Sequence, residues 1–223
     1  WEPLYEKGNI IGMQRNKQRI TTEPGLQCEL SGAPLENIHQ VCSESSKFLK
    51  EIETASKSLD VNTVSIGFDP FNSLSDIPQS PKSRYKIMTK EMPKGGKQSL
   101  EMMYRTCGIQ INYDYTSEEN FEKIFRLGNY LTPLTIALYS NSPFESGQPV
   151  GYYSYRNKVW QNTSRGGIMP IAFEKVSFEK YFDHVTEYPI LFVIRDKNYI
   201  EPNGQPFKDF ILGNFSNLKD EAS

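Results

Sequence analysis

Histidine is nearly missing from this chain, with His39 and His184 the only two among 223 residues. A zinc centre built mainly on imidazole is thereby excluded. Cysteine is scarce too: Cys28, Cys42 and Cys107 are unevenly spaced, which makes no disulfide framework and points to a reducing compartment. No apolar run approaches the roughly 20 residues a membrane span needs, and no signal-peptide pattern opens the sequence. An excess of one charge is absent as well. Lys and Arg total 25 against 27 Asp and Glu, a net charge of −2, which argues against gripping a nucleic-acid backbone by bulk charge. The expected setting is the cytoplasm, or a plastid if the source is a plant, with no membrane or nucleic-acid partner. Residue 1 is Trp rather than Met, as expected of an internal or trimmed piece of a longer protein.

What is present fits a folded globule: 37% hydrophobic and 13% aromatic residues, without repeats or low-complexity tracts. The pattern predicts a hairpin from Asn9–Gln14 and Gln18–Thr22, turned at Arg15-Asn16-Lys17. Glu23–Glu29 reads as a continued extended stretch, and Pro34 as the first turn of a helix reaching Leu59 along one apolar face. Thr63–Phe68 reads as a buried strand, residues 69–83 as a loop, and Arg84–Met92 as a short helix. From Met102 to Tyr115 strict alternation predicts a central strand. Its odd positions (Met103, Arg105, Cys107, Ile109, Ile111, Tyr113, Tyr115) are largely apolar, whereas Thr106, Gln110 and Asn112 line the opposite, polar face. Thr116-Ser117-Glu118-Glu119 opens a long helix that Pro133 is expected to kink. Residues 140–176 read as loop-rich, followed by a helix around Phe178–Val185, a hairpin from Ile190 to Ile200, and a short helix ended by Gly213. Helices and hairpins without regular βαβ alternation give the expected class: α+β with an antiparallel sheet.

The motifs narrow the chemistry. Lys94-Gly95-Gly96-Lys97-Gln98-Ser99 has the glycines of a phosphate loop but not its spacing, so an ordinary loop is expected. His39 and Cys42 lie one helical turn apart, too few ligands for zinc, and read as a partly buried packing pair. Two sequons, Asn162-Thr163-Ser164 and Asn214-Phe215-Ser216, carry no meaning without secretion. Glu23, Gln27 and Glu29 share a parity in an extended chain. They form either an oxygen-rich face for a hard cation such as Mg2+ or a solvated edge strand, and the polar row Thr106–Asp114 favours the wet site.

The run Glu23-Pro24-Gly25-Leu26-Gln27-Cys28-Glu29-Leu30-Ser31-Gly32-Ala33-Pro34-Leu35-Glu36 resembles the signature of the glutamate–cysteine ligase family, in the form shared by plants and many proteobacteria. The likeness continues through His39–Cys42, Asp76-Ile77-Pro78, Arg84–Met88, Met102–Cys107, Gln110–Asn112, Asn141–Phe144 and Arg156–Trp160. It covers essentially all of residues 1–223 but only the middle of a family member, so an upstream metal-binding strand and a C-terminal part are expected to be missing. The resemblance implies a glutamine-synthetase-like fold, a curved antiparallel sheet backed by helices. It also implies ATP- and Mg2+-dependent joining of the glutamate γ-carboxylate to the cysteine amine through an acyl phosphate, the first step of glutathione synthesis. In that family reading Glu23 and Glu29 hold the metal, Gln27 and Glu29 face the nucleotide, and Arg84 and Arg156 act on substrate. Thr106, Gln110 and Asn112 line the amino-acid pocket, and Trp160 packs beside it. A surface ion pair is the plainer alternative for either arginine. Cys42 matches a cysteine of a plant redox pair whose partner falls outside this chain. Departures are Leu26 for the family's second glycine, Cys28 for an aromatic, Ser83 for a glycine, and a shorter loop between Trp160 and Met169. Two rivals remain: a γ-glutamyl ligase using another amine, as in ergothioneine synthesis, and a non-catalytic truncated fragment.

Overall fold

The computed structural model describes residues 1–164, 166–196 and 198–215. Lys197 of the predicted turn, Ser216 of the second sequon and Arg165 of the shortened loop lie outside the described residues. A four-stranded antiparallel sheet in sequence order opens the chain: β1 (Glu2–Glu6), β2 (Asn9–Arg15), β3 (Gln18–Thr22) and β4 (Cys28–Ser31). Its tight turns carry residues suited to positive φ, with Gly8 at +81° after Lys7 and Asn16 at +54°. The predicted hairpin is therefore present, and β1 is an addition that its Pro3 and charged ends hid.

The stretch Glu23–Glu29 is not continuously extended. β3 and β4 pair antiparallel, with Thr22 opposite Cys28 and Thr21 opposite Glu29, so residues 23–27 form a tight closing loop. Nor does Pro34 start the helix. Helix α1 covers Ile38–Ser58, because Asn37 accepts from the Gln40 amide while the Gln40 side chain accepts from the Glu36 N–H, a reciprocal cap. Its face toward the sheet is partly polar: Arg15 pairs with Glu51 at 2.7 Å, and Glu44 accepts from the Ala33 N–H at 2.9 Å. His39 and Cys42 are exposed on this helix, which corrects the buried-pair expectation.

Helix α2 (Ser83–Glu91) matches its expectation, and a 3-10 turn over Met92–Gly95 follows. Gly96 packs so tightly that a Cβ there would sit 2.5 Å from the Asn162 carbonyl oxygen, which accounts for a glycine without any phosphate.

The central strand Met102–Tyr115 is absent, and this is the largest correction. Ser99–Arg105 is helix α3, closed by a Glu101–Arg105 ion pair one turn apart at 2.8 Å. Met103, Tyr104 and Ser99 bury one helical face, a period that the alternating pattern also satisfied. Beyond it, residues 107–115 are exposed coil, with Ile109 91% and Ile111 68% accessible. The buried strand Thr63–Phe68 shrinks likewise to a single antiparallel bridge, Phe68 to Thr106. A strand holds its shape through a ladder of neighbours, and among the described residues no ladder extends from that one bridge along either segment.

Helix α4 (Glu118–Tyr139) is capped by Ser117, which accepts from the Asn120 N–H as the Asn120 side chain accepts from Thr116. It remains helical through Pro133. The loop-rich region holds a minimal hairpin, β5 (Phe144–Glu145) with β6 (Gln148–Pro149), and an unpredicted helix α5 (Tyr155–Gln161) capped by Ser154. The remaining elements fall as expected: α6 (Phe178–Thr186), the hairpin of β7 (Val193–Arg195) and β8 (Asn198–Ile200), and α7 (Phe207–Ile211) before Gly213 at φ +71°. The class is α+β with small antiparallel sheets.

Candidate functional site: a carboxylate–cation cluster at the β3–β4 loop

The loop closing β3 and β4 owes its shape to its own sequence. The Glu23 N–H donates to the Gln27 carbonyl at 2.8 Å, and Leu26 donates back to the Glu23 carbonyl at 2.9 Å. Leu26 is held at φ +62°, the left-handed region where a side chain is strained and glycine is not. The glycine that the family signature carries here thus has a backbone reason. Gly25 has a different one. A Cβ on it would lie 2.2 Å from the Tyr104 carbonyl oxygen, so the loop is pressed onto α3. Gln27 completes the seal, accepting from the Gly25 N–H at 2.8 Å while its amide donates to the Met103 and Thr106 carbonyls at 3.1 and 3.2 Å.

Antiparallel register puts Glu29 opposite Thr21, two residues before Glu23, so the two carboxylates share a face. The N-terminal end of α2 meets this face. The Tyr85 hydroxyl donates to Glu23 at 3.3 Å and accepts from Arg84 at 3.1 Å, and the Arg84 guanidinium lies 4.9 Å from the Tyr85 ring centre. Lys82, only 5% exposed, donates to the Thr22 carbonyl at 2.7 Å and sits 5.5 Å above the same ring. Burial pushes the Lys82 ammonium down from its ordinary value, as does the nearby Arg84 charge, while Glu23, Glu29 and Glu6 oppose this. Burial lifts the Glu29 carboxyl above the usual range, and its neighbour Glu23 adds to that, against Lys82 and Arg84. Glu6 accepts from the Ser83 N–H at the helix start, and hydrogen bonding from the Ser83 side chain, with a lesser part from that N–H, holds its carboxyl below the ordinary range against the effect of burial.

A second cluster surrounds Arg156 on α5. Its Nε donates to the Cys107 carbonyl at 2.8 Å, its backbone N–H donates to the Ser142 hydroxyl at 3.2 Å, and its guanidinium lies 5.2 Å from the Trp160 ring. Burial lowers its pKa from the ordinary value. Thr106 and Cys107 link the two clusters, since Gln27 binds the first carbonyl and Arg156 the second. The Trp160 indole N–H is buried without a partner among the described residues.

The structure therefore brings Glu23, Gln27, Glu29 and Arg84 together, with Thr106 at their edge and Arg156 beyond it. The Thr106 hydroxyl is occupied, donating to the Met102 carbonyl at 2.6 Å. Gln110 and Asn112 are not gathered in; both lie in the exposed coil after α3. The sequence reading missed Lys82 and Tyr85 as site members. A Lys-Ser-Arg-Tyr start to a helix after Pro81 was the available signal. Among the described residues no three His, Cys, Asp or Glu side chains converge as a metal cage. Two surface cavities of ≈300 and ≈350 Å³ lie elsewhere, along Glu122–Tyr130 and beside Trp1 and Arg15.

Chemically, paired carboxylates offer hard oxygen donors to a divalent cation, and the adjacent ammonium and guanidinium groups suit carboxylate or phosphate oxygens. Fold and cluster thus define an α+β protein that carries two carboxylates, an ammonium and a guanidinium on one face. A model of glutamate-cysteine ligase family 2 matches residues 6–212, and the chain belongs to that family. It is 43% identical over 216 residues to glutamate–cysteine ligase A, chloroplastic, of Oryza sativa subsp. japonica, covering 96% of this chain and 44% of that one. Identity to the chloroplastic glutamate–cysteine ligase of Nicotiana tabacum is 43% over 219 residues, covering 97% of this chain and 42% of that one. For that of Arabidopsis thaliana it is 41% over 224 residues, covering 99% and 43%. The chain spans less than half the length of these relatives.

Proposed function

We propose that the protein carrying this chain is a glutamate–cysteine ligase, and that residues 1–223 form the middle of its catalytic domain. In this reading the four-stranded sheet is part of a curved, glutamine-synthetase-like sheet backed by helices. The observation that carries the proposal is the meeting of Glu23 and Glu29 with Lys82 and Arg84 on one face, in a chain of this family.

The reaction makes an amide from a carboxylate, a poor electrophile. Transfer of the terminal phosphoryl group of ATP to the glutamate γ-carboxylate gives an acyl phosphate. The cysteine amine then attacks the carbonyl, and phosphate leaves with the C–O bonding pair. Two anions must first approach each other, so cations have to offset their repulsion. Arg84 and Arg156 supply planar guanidinium groups for carboxylate or phosphoryl oxygens. Lys82 adds a fixed positive charge beside the carboxylates, and Tyr85 orients both Arg84 and Glu23. Glu23 and Glu29 fit Mg2+ by donor type, and Gln27 holds the loop that carries them. Bound Mg2+ would neutralise phosphate charge. Gln110 and Asn112, with Thr106, complete the amino-acid pocket in this reading once residues 107–115 gain a neighbouring strand.

The test is a coupled assay on the full-length protein with ATP, Mg2+, glutamate and cysteine, reading γ-glutamylcysteine and released phosphate. Arg84→Ala is expected to raise the KM for glutamate about 100-fold while changing the melting temperature little. Product with another amine and none with cysteine would replace this reading with the related-ligase one. The 223-residue chain by itself is expected to form little or no product, since it supplies two carboxylates to the metal. As for place, no described helix is long and apolar enough to cross a membrane. The cytoplasm or a plastid is the inferred location.

A further inference from the structure

Arg105 takes no part in the chemistry described above, yet its terminal nitrogens meet three acceptors, while its buried Nε has no partner among the described residues. Its side chain is 2% exposed. One terminal nitrogen donates to Glu101 at 2.8 Å and to Glu145 at 3.3 Å, and the other donates to the Asp69 carbonyl at 3.0 Å. Its guanidinium lies 4.3 Å from the centre of the Phe68 ring, which itself meets Tyr155 edge-on at 5.0 Å. A single side chain thus joins α3, the 68–69 segment and β5.

These are the segments that aim Arg156. The Asp69 N–H donates to the Arg105 carbonyl and the Cys107 N–H to the Gly67 carbonyl, flanking the bridge between Phe68 and Thr106. This frame fixes the direction of the Cys107 carbonyl, the acceptor for Arg156 Nε. From the other side, Glu145 faces the Tyr155 hydroxyl, the residue next to Arg156 at the start of α5. Both backbone and helix approach Arg156 through contacts that end on Arg105.

We propose that Arg105 is a positioning residue for Arg156, locking the Phe68–Thr106 bridge and the start of α5 so that the Arg156 guanidinium faces an amino-acid substrate. This rests on the ligase reading. A planar fork is needed because three acceptors in different directions must be met at once, which a lysine ammonium on a flexible stem does not do while also lying over Phe68. Burial of one guanidinium against two carboxylates contributes little net stability compared with an apolar core, but it specifies a single arrangement.

The experiment uses the full-length protein with Arg105→Lys, Glu145→Gln, Arg156→Ala and the Glu145→Gln/Arg156→Ala pair. Melting temperature and KM for each substrate are measured. Arg105→Lys and Glu145→Gln are expected to raise an amino-acid KM about tenfold and leave the KM for ATP within about twofold, and Glu145→Gln is expected to add nothing in the Arg156→Ala background. Glu145→Gln keeps the outcome decisive where Arg105→Lys does not fold. Equal changes in every KM, activity lost only in step with the folded fraction, or an effect that adds to that of Arg156→Ala would overturn the inference alone. A wild-type protein that makes no γ-glutamylcysteine would overturn the ligase reading, and this inference with it.

Discussion

The β3–β4 loop and the segment 107–115 share a pattern of alternating residues, yet one is tightly ordered and the other lies exposed. The loop is closed by Thr22 and Cys28, only six positions apart, so pairing is nearly local and the chain-closure cost is small. Its polar side chains then find fixed partners in Tyr85, Met103 and Thr106. Residues 107–115 have no strand beside them among the described residues, and Ile109, Ile111 and Tyr113 stand in solvent. Alternation states which side chains share a face. It does not say whether a neighbour is at hand to use that face.

The largest expected effect tests the tightness of the loop. Gly25→Val sets a branched side chain against a backbone oxygen that cannot move aside, and should destabilise the chain by about 3 kcal/mol in denaturant titrations. Leu26→Gly acts in the opposite direction. Relieving the left-handed strain should stabilise by about 1 kcal/mol, net of glycine's greater chain entropy. A loss of stability there would mean that Leu26 packing outweighs the backbone strain.

Glu6 gives a smaller, pH-dependent effect. Its carboxyl is held below the ordinary glutamate value in the folded chain, so its contribution is present above that value and is lost as pH falls through the depressed one. Melts of the wild type at pH 7 and in the acid range, set against Glu6→Gln, should reveal about 0.5 kcal/mol at the α2 N-terminus. Ile111→Ser, on the exposed side of the comparison, should change stability by less than about 0.5 kcal/mol. A loss above about 1 kcal/mol would break the comparison, because it would mean that residues 107–115 are packed.

Helix caps were the most legible features. Ser117 and the start of α4 were read correctly because a cap is a contact between residues three apart. Asn37-x-x-Gln40 carries the same kind of signal for α1, and it outweighs Pro34 as the start of that helix. Helix α3 is ambiguous in sequence, since Met103 sits on the apolar parity of a strand as well as on a helical face; burial of Met103 and Tyr104 together and the Glu101–Arg105 pair one turn apart mark the helix. Of the candidate site, Glu23, Gln27, Glu29 and Arg84 were nameable in advance. Lys82 was not, because its importance lies in burial against Thr22 and Tyr85, residues 60 positions away and three ahead.

By itself the sequence determined family membership, the α+β class, and the carboxylates and guanidinium groups that the site has to offer. These follow from residue identity and short-range spacing, which survive whatever the chain does at long range. Only the tertiary structure decided that Glu23 and Glu29 meet by hairpin register instead of along one strand, that Lys82 is buried beside them, and that Arg105 ties Phe68 to the segment presenting Arg156. Those outcomes depend on which distant segments pack together, and the free energy of such packing is set by pairs of surfaces that no single stretch of sequence contains.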